Sequence, residues 1–133
     1  MSTELAVWLG ATVLALVAVV VTGKAAKRSA HYASVVVFFA CLFVAIREAG
    51  QVGKGLTYEG WARVVFYVHF SFVGIVFLMV PFLIVSGVKL ARGEDPVRRK
   101  KHNQLAALFV GMVVLTCVLG SLMTWGATPV EGV

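Results

Sequence analysis

Charged residues are scarce in this 133-residue chain: they make up 14% of the sequence, whereas hydrophobic residues make up 60%. A soluble domain has about 25% charged and about 45–50% apolar residues. The polar surface that a water-soluble globule needs is therefore missing, and the same composition excludes an intrinsically disordered chain. Cysteine is also rare, with two residues in all, which excludes a disulfide-stapled secreted domain. The class that remains is an integral membrane protein.

Four runs contain no Lys, Arg, Asp or Glu and approach or exceed the length of about 20 apolar residues that crosses a bilayer. Backbone in lipid must satisfy its own hydrogen bonds, so we predict that each run is a helix. Residues 35–39 are all apolar, whereas the strands of a membrane barrel alternate polar and apolar residues. We therefore predict an all-α fold, a single four-helix transmembrane domain with helices at about 5–23, 30–46, 64–88 and 105–125.

The basic residues predict the orientation of these helices. The first and third loops hold nine of the twelve Lys and Arg residues, and both tails have none. The positive-inside rule places these two loops in the cytoplasm, and both termini and the second loop outside. Because the connections are short, we predict an up-down four-helix bundle. The pI near 9.8 then reflects membrane orientation, and no soluble basic domain is present to bind nucleic acid.

Turn-forming residues mark two of the loops. Glu94, Asp95 and Pro96 predict a turn in the third loop. Four glycines predict that the second loop is irregular: Gly50, Gly53, Gly55 and Gly60. No internal repeat is evident from the sequence alone.

Two of the three histidines open helices at the predicted cytoplasmic side. His31 begins the second helix and His102 begins the fourth. In an up-down bundle these helices are parallel and diagonal, which places the two imidazoles at matching depth across the bundle axis. Haem b with two axial histidines needs this arrangement. The alternative is that both are ordinary interfacial residues at helix ends.

His69 lies within the third apolar run, where an ionisable residue is costly and usually faces the bundle interior. It is a candidate haem or copper ligand, or a contact for a proton or a quinone. A minor alternative is a quinone pocket formed with Tyr67 and Trp61. The plain structural alternative is a neutral histidine bonded to a serine, a tyrosine or a backbone carbonyl.

The sequence offers no candidate site for hydrolysis or phosphoryl transfer. It has no nucleophile–base arrangement, no glycine-rich phosphate loop and no pair of carboxylates within a predicted span. Cys41 and Cys117 lie in the middle of helices without the spacing of a metal motif, and are interpreted as packing residues. We therefore expect that the chain is not an enzyme.

The region from the second helix to the fourth resembles a family of small bacterial four-helix membrane proteins, catalogued as domain of unknown function 420. The resemblance is carried by Lys27-Arg28 and Arg47 around the second helix, by His69, Pro81 and residues 90–93 around the third, and by residues 98–102 with Gly120 in the fourth. The family also has a histidine at the very start of the second helix, a turn before His31, and another where Glu48 stands here.

This resemblance implies a multi-pass protein of the bacterial inner membrane with a role in the assembly of haem–copper terminal oxidases. The histidines at helix starts are also similar to those of b-type transmembrane cytochromes. We expect a protein that binds or handles a redox cofactor through His69, His102 and His31. Haem b is the first candidate for this cofactor and copper is the second. Its partners would be the lipid bilayer and a larger respiratory complex or terminal oxidase. The alternative is a cofactor-free accessory or structural subunit of a larger respiratory or photosynthetic complex.

Overall fold

The computed structural model describes residues 3–25, 27–93 and 95–130, and 89% of them are helical. The four helices are α1 (Thr3–Lys24), α2 (Arg28–Lys54), α3 (Gly60–Arg92) and α4 (Pro96–Trp125). Each is long and apolar enough to cross a membrane. The predictions of an all-α fold and of four helices suited to a membrane are confirmed.

The helices pair in chain order. Helix α1 packs against α2 to form the first hairpin, and α3 packs against α4 to form the second hairpin. Each hairpin belongs to its own compact unit, and the chain passes from one unit to the next between Leu56 and Thr57. Two short strands, β1 (Leu56–Thr57) and β2 (Thr128–Pro129), pair with each other.

Helix α4 begins well before the apolar run that predicted it. The Asp95 carboxylate caps its start by accepting a hydrogen bond from the Val97 N–H at 2.9 Å, and Pro96 occupies the first turn. An acidic cap followed by proline is a typical helix start. Glu94, the first residue of the predicted turn, lies outside the described residues. Asp95 and Pro96 thus end the third loop and start the helix.

The second loop is shorter than the glycines predicted. Gly50 and Gly53 lie inside α2, so the prediction that they belong to an irregular loop is wrong. A glycine in a helix costs only roughly 1 kcal/mol relative to alanine, and most of the stability of a helix in a protein comes from packing, so two glycines do not have to end it. Gly55 ends α2, and Gly60 begins α3 with φ +52°, a left-handed conformation that favours glycine.

Each hairpin buries few side chains and exposes many large apolar ones. The most buried include Phe38 in the first hairpin and Phe109 in the second, at 2% and 6% exposure. Valine, leucine and phenylalanine side chains cover much of the remaining surface. Exposed apolar surface of this extent is costly in water and is compatible with a lipid environment.

Candidate functional site

His31 lies at the loop end of the first hairpin, on α2 and against α1. Its ring occupies the space over Gly23, where a Cβ would lie 3.2 Å from the ring atoms. The Nδ1–H donates to the Val19 carbonyl oxygen at 3.1 Å, and the Thr22 hydroxyl oxygen lies 3.5 Å from the same nitrogen. The Thr22 hydroxyl itself donates to the Ala18 carbonyl at 2.6 Å, so its oxygen faces His31 as an acceptor.

His69 is placed in the same way in the second hairpin, on α3 and against α4. A Cβ at Gly120 would lie 3.0 Å from the His69 Cε1. The Nδ1–H of His69 donates to the Thr116 carbonyl oxygen at 3.0 Å. The ring therefore fills the gap that glycine leaves and joins the two helices by a hydrogen bond.

His102 completes the set at the loop end of the second hairpin, on α4 and against α3. A Cβ at Gly87 would lie 3.5 Å from its Cε1. The His102 Nδ1 lies 2.8 Å from the Ser86 hydroxyl oxygen, and this hydroxyl donates to the Leu83 carbonyl at 2.9 Å. The only hydroxyl hydrogen of Ser86 is thus in use, and Ser86 accepts from the His102 Nδ1–H.

The two histidines of the second hairpin are related by an approximate two-fold symmetry. His69 precedes Gly87 by eighteen residues, and His102 precedes Gly120 by the same number. Because the helices are antiparallel, each histidine meets the glycine of the other helix. Eighteen residues of helix span about 27 Å. His69 and His102 therefore lie at opposite ends of the hairpin and cannot ligate the same metal within one copy of the chain.

The loop end of the first hairpin repeats the pattern of the second. Thr22-Gly23 faces His31 as Ser86-Gly87 faces His102, and in both hairpins the acceptor carbonyl belongs to the residue four positions before the glycine. In the first hairpin the ring donates to that carbonyl, and in the second the serine hydroxyl relays the contact.

The buried phenylalanines extend this repeat along the helices. Phe38 follows His31 by seven residues, and Phe109 follows His102 by seven. At the other end the match fails, because Leu5 and Ala49 hold the positions that correspond to His69 and Gly120. The two hairpins thus share one packing plan, and only the second has a histidine at both ends.

These contacts determine which ring nitrogen carries the proton. A carbonyl oxygen only accepts, so His31 and His69 hold their proton on Nδ1, and the Ser86 contact requires the same of His102. A neutral imidazole with its proton on Nδ1 has its lone pair on Nε2. Histidines that bind metals or haem iron commonly donate Nδ1–H to a backbone carbonyl and coordinate through Nε2.

The donor set fits haem better than a bare copper ion. Haem brings four nitrogens of its own and needs one or two axial ligands from protein, which single imidazoles can supply. A protein copper site needs several soft or imidazole ligands close together. Throughout the described part of the chain, no group of three His, Cys, Asp or Glu side chains comes together. The free thiols of Cys41 and Cys117 are half-buried and lie in different units.

The sequence identified the histidines but missed the residues that hold them. The sequence alone assigns no role at the site to Ser86 or Thr22, although a hydroxyl residue followed by glycine near a helix end is a usable signal beside a histidine. Tyr67 and Trp61, the aromatic residues of the quinone alternative, are more than half exposed, whereas His69 is half-buried against α4.

Comparisons with protein-family models, curated proteins and solved structures find no match to this chain.

Proposed function

We propose that this chain is a multi-pass protein of the bacterial inner membrane that binds or handles a redox cofactor. The preferred cofactor is haem b, and copper is the second candidate. The proposed ligands are the Nε2 atoms of His69, His102 and His31. Bound haem supplies one-electron transfer, which requires no catalytic acid or base from the protein. The proposed setting is respiratory electron transfer or terminal-oxidase assembly.

One observation carries the proposal: all three histidines have Nδ1–H committed to an acceptor on the neighbouring helix. This fixes the tautomer and the ring plane before any ligand arrives, which lowers the cost of binding a metal through Nε2. Histidines that serve only as surface residues do not need a hydrogen-bond acceptor for Nδ1–H on the neighbouring helix.

The remaining elements of the proposal rest on the sequence. The concentration of Lys and Arg in the first and third loops supports cytoplasmic loops, outward termini and an up-down four-helix bundle. The resemblance to the domain-of-unknown-function 420 family supports the link to oxidase assembly, with a terminal oxidase or a larger respiratory complex as the partner.

The test is the haem and metal content of purified variants. The wild type, His31→Ala, His69→Ala and His102→Ala are produced in haem-replete cells, with Asn103→Ala as a control that removes an exposed polar residue beside His102. We expect bound haem in the wild type and the control, and its loss or weakening in His102→Ala. Circular dichroism confirms that each variant keeps its helices.

A specific observation also favours the second candidate, a cofactor-free accessory subunit of a larger membrane complex. Each histidine fills the space over a glycine and bonds the adjacent helix, which is a complete structural role without a ligand. Interhelical hydrogen bonds in membranes contribute about 1 kcal/mol. This candidate predicts that histidine variants lose thermal stability, that no preparation contains haem or copper, and that the protein co-purifies with large partners in mild detergent.

A further inference from the structure

The second hairpin carries a groove of about 540 Å³ between α3 and the early part of α4. Its lining residues recur about every fourth position on α3, which places them on one face of that helix. The groove follows α3 for about 12 Å from Pro81 to Lys89. Apolar atoms form almost all of its wall, and the residues that supply them are Pro81, Phe82, Val85, Ser86 and Lys89 from α3 and Leu105 from α4.

The two polar residues of the groove differ in what they can offer a ligand. The Ser86 hydroxyl already donates to Leu83 and accepts from His102. Lys89 is exposed, and within the described ranges it forms no ion pair. Because the groove wall is apolar, Lys89 lines it with its aliphatic stem, and its exposed ammonium group is available to the polar end of a molecule that extends out of the groove.

The surroundings of Lys89 reinforce its positive charge. The end of α3, the connection and the start of α4 hold six basic residues and two acidic ones: Lys89, Arg92, Arg98, Arg99, Lys100 and Lys101 against Glu94 and Asp95. The Asp95 carboxylate is occupied, because it caps α4 and pairs with Arg98 at 3.5 Å. The local field at this end of the hairpin therefore favours an anion.

We propose that this groove binds one anionic phospholipid, with an acyl chain along α3 and the headgroup phosphate at Lys89. The groove belongs to a candidate membrane span and Lys89 lies near the end of that span, where apolar chains give way to headgroups and lysine side chains extend toward the interface. A neutral quinone would leave the lysine without a counter-charge. The proposal is independent of the cofactor and requires only that α3 and α4 cross the membrane.

Native mass spectrometry of the full, delipidated chain tests this site. The protein in detergent is titrated with phosphatidylglycerol and, separately, with phosphatidylcholine of the same acyl chains. We expect one tightly bound phosphatidylglycerol per chain, and weaker binding of phosphatidylcholine by about fivefold, the effect of one interfacial charge. Equal binding of the two lipids would overturn the proposal.

Two variants separate the headgroup contact from the groove. Lys89→Gln removes the charge and should lower phosphatidylglycerol affinity by about fivefold, whereas Lys24→Gln removes the same charge at the end of α1 and should leave it unchanged. Val85→Trp fills the groove without a charge change and should abolish the tight site. An equal loss in Lys24→Gln, or full binding by Val85→Trp, would show that the lipid is held by diffuse surface charge and would refute the proposed groove site.

Discussion

Single atoms decide the chemistry that these histidines can perform. His31, His69 and His102 each hold the proton on Nδ1 because the neighbouring helix offers an acceptor there. The sequence could identify the histidines, since an imidazole in an apolar helix is unusual. It could not identify Ser86 or Val19 as their partners, because those contacts depend on how the two helices of a hairpin are aligned.

Replacing Ser86 tests whether the hydroxyl positions a ligand. Ser86→Ala removes the acceptor of the His102 Nδ1–H, and loss of such a partner typically lowers metal affinity about 10–100-fold. We expect haem affinity to fall and the reduction potential of the remaining haem to shift, as measured by titration and by spectroelectrochemistry. Ser71→Ala is the control, because Ser71 bonds its own helix at Tyr67. Equal effects of the two changes would refute the positioning role.

The glycines opposite the histidines differ in how much room they leave. A Cβ at Gly120 meets the His69 ring at 3.0 Å, and a Cβ at Gly87 meets His102 at 3.5 Å, an ordinary contact. Both alanine variants gain the same helix propensity, so their difference isolates the clash. We expect Gly120→Ala to be less stable than Gly87→Ala by about 1–3 kcal/mol in detergent unfolding. Equal stabilities would show that the His69 ring is not held against α4.

At the scale of the elements, hydropathy located the helices but not their ends. The uncharged runs mark where lipid is expected, and helices continue beyond them while backbone bonding remains favourable. Helix α2 passes through Gly50 and Gly53 to Lys54, and α4 begins at Pro96. Both ends depend on local contacts such as the Asp95 cap, which a count of apolar residues does not measure.

Tyr58, between β1 and α3, gives a pH test of the packing outside the candidate spans. Its ring lies 5.0 Å from that of Phe66, and burial raises the pKa of the phenol above its ordinary value. The pKa of Tyr58 in the folded protein lies above its unfolded-state value of about 10. The phenol therefore stabilises the fold below pH of about 10, and this contribution is lost as the pH rises through the folded-state pKa. The thermal stability of the wild type should therefore fall more at alkaline pH than the thermal stability of Tyr58→Phe. Identical pH profiles would contradict the packing at Tyr58.

At the scale of the whole molecule, the repeated plan of the two hairpins was hidden in the sequence. Gly23 and His31 are eight residues apart, whereas Gly87 and His102 are fifteen apart, so no fixed period relates them. The contact of each histidine with its glycine reveals the shared register. The plan leaves Leu5 and Ala49 as the positions where the first hairpin departs from the second.

Orientation in the membrane is also a prediction about the whole chain. Reporter enzymes active only outside or only inside the cytoplasm, fused to each terminus, should show both termini outside, because basic residues collect in the first and third loops. Moving basic residues to the second loop should weaken this preference. A cytoplasmic signal from both termini of the natural sequence would contradict this prediction and indicate the opposite topology.

The absorption spectrum of the detergent-purified protein tests the central claim most directly. If the Nε2 atoms of these histidines bind haem b, protein from haem-replete cells shows a b-type Soret band and an α-band on reduction, and His102→Ala weakens or abolishes both. A colourless, fully helical preparation without haem or copper by chemical analysis would contradict the account and leave the histidines as structural contacts between helices.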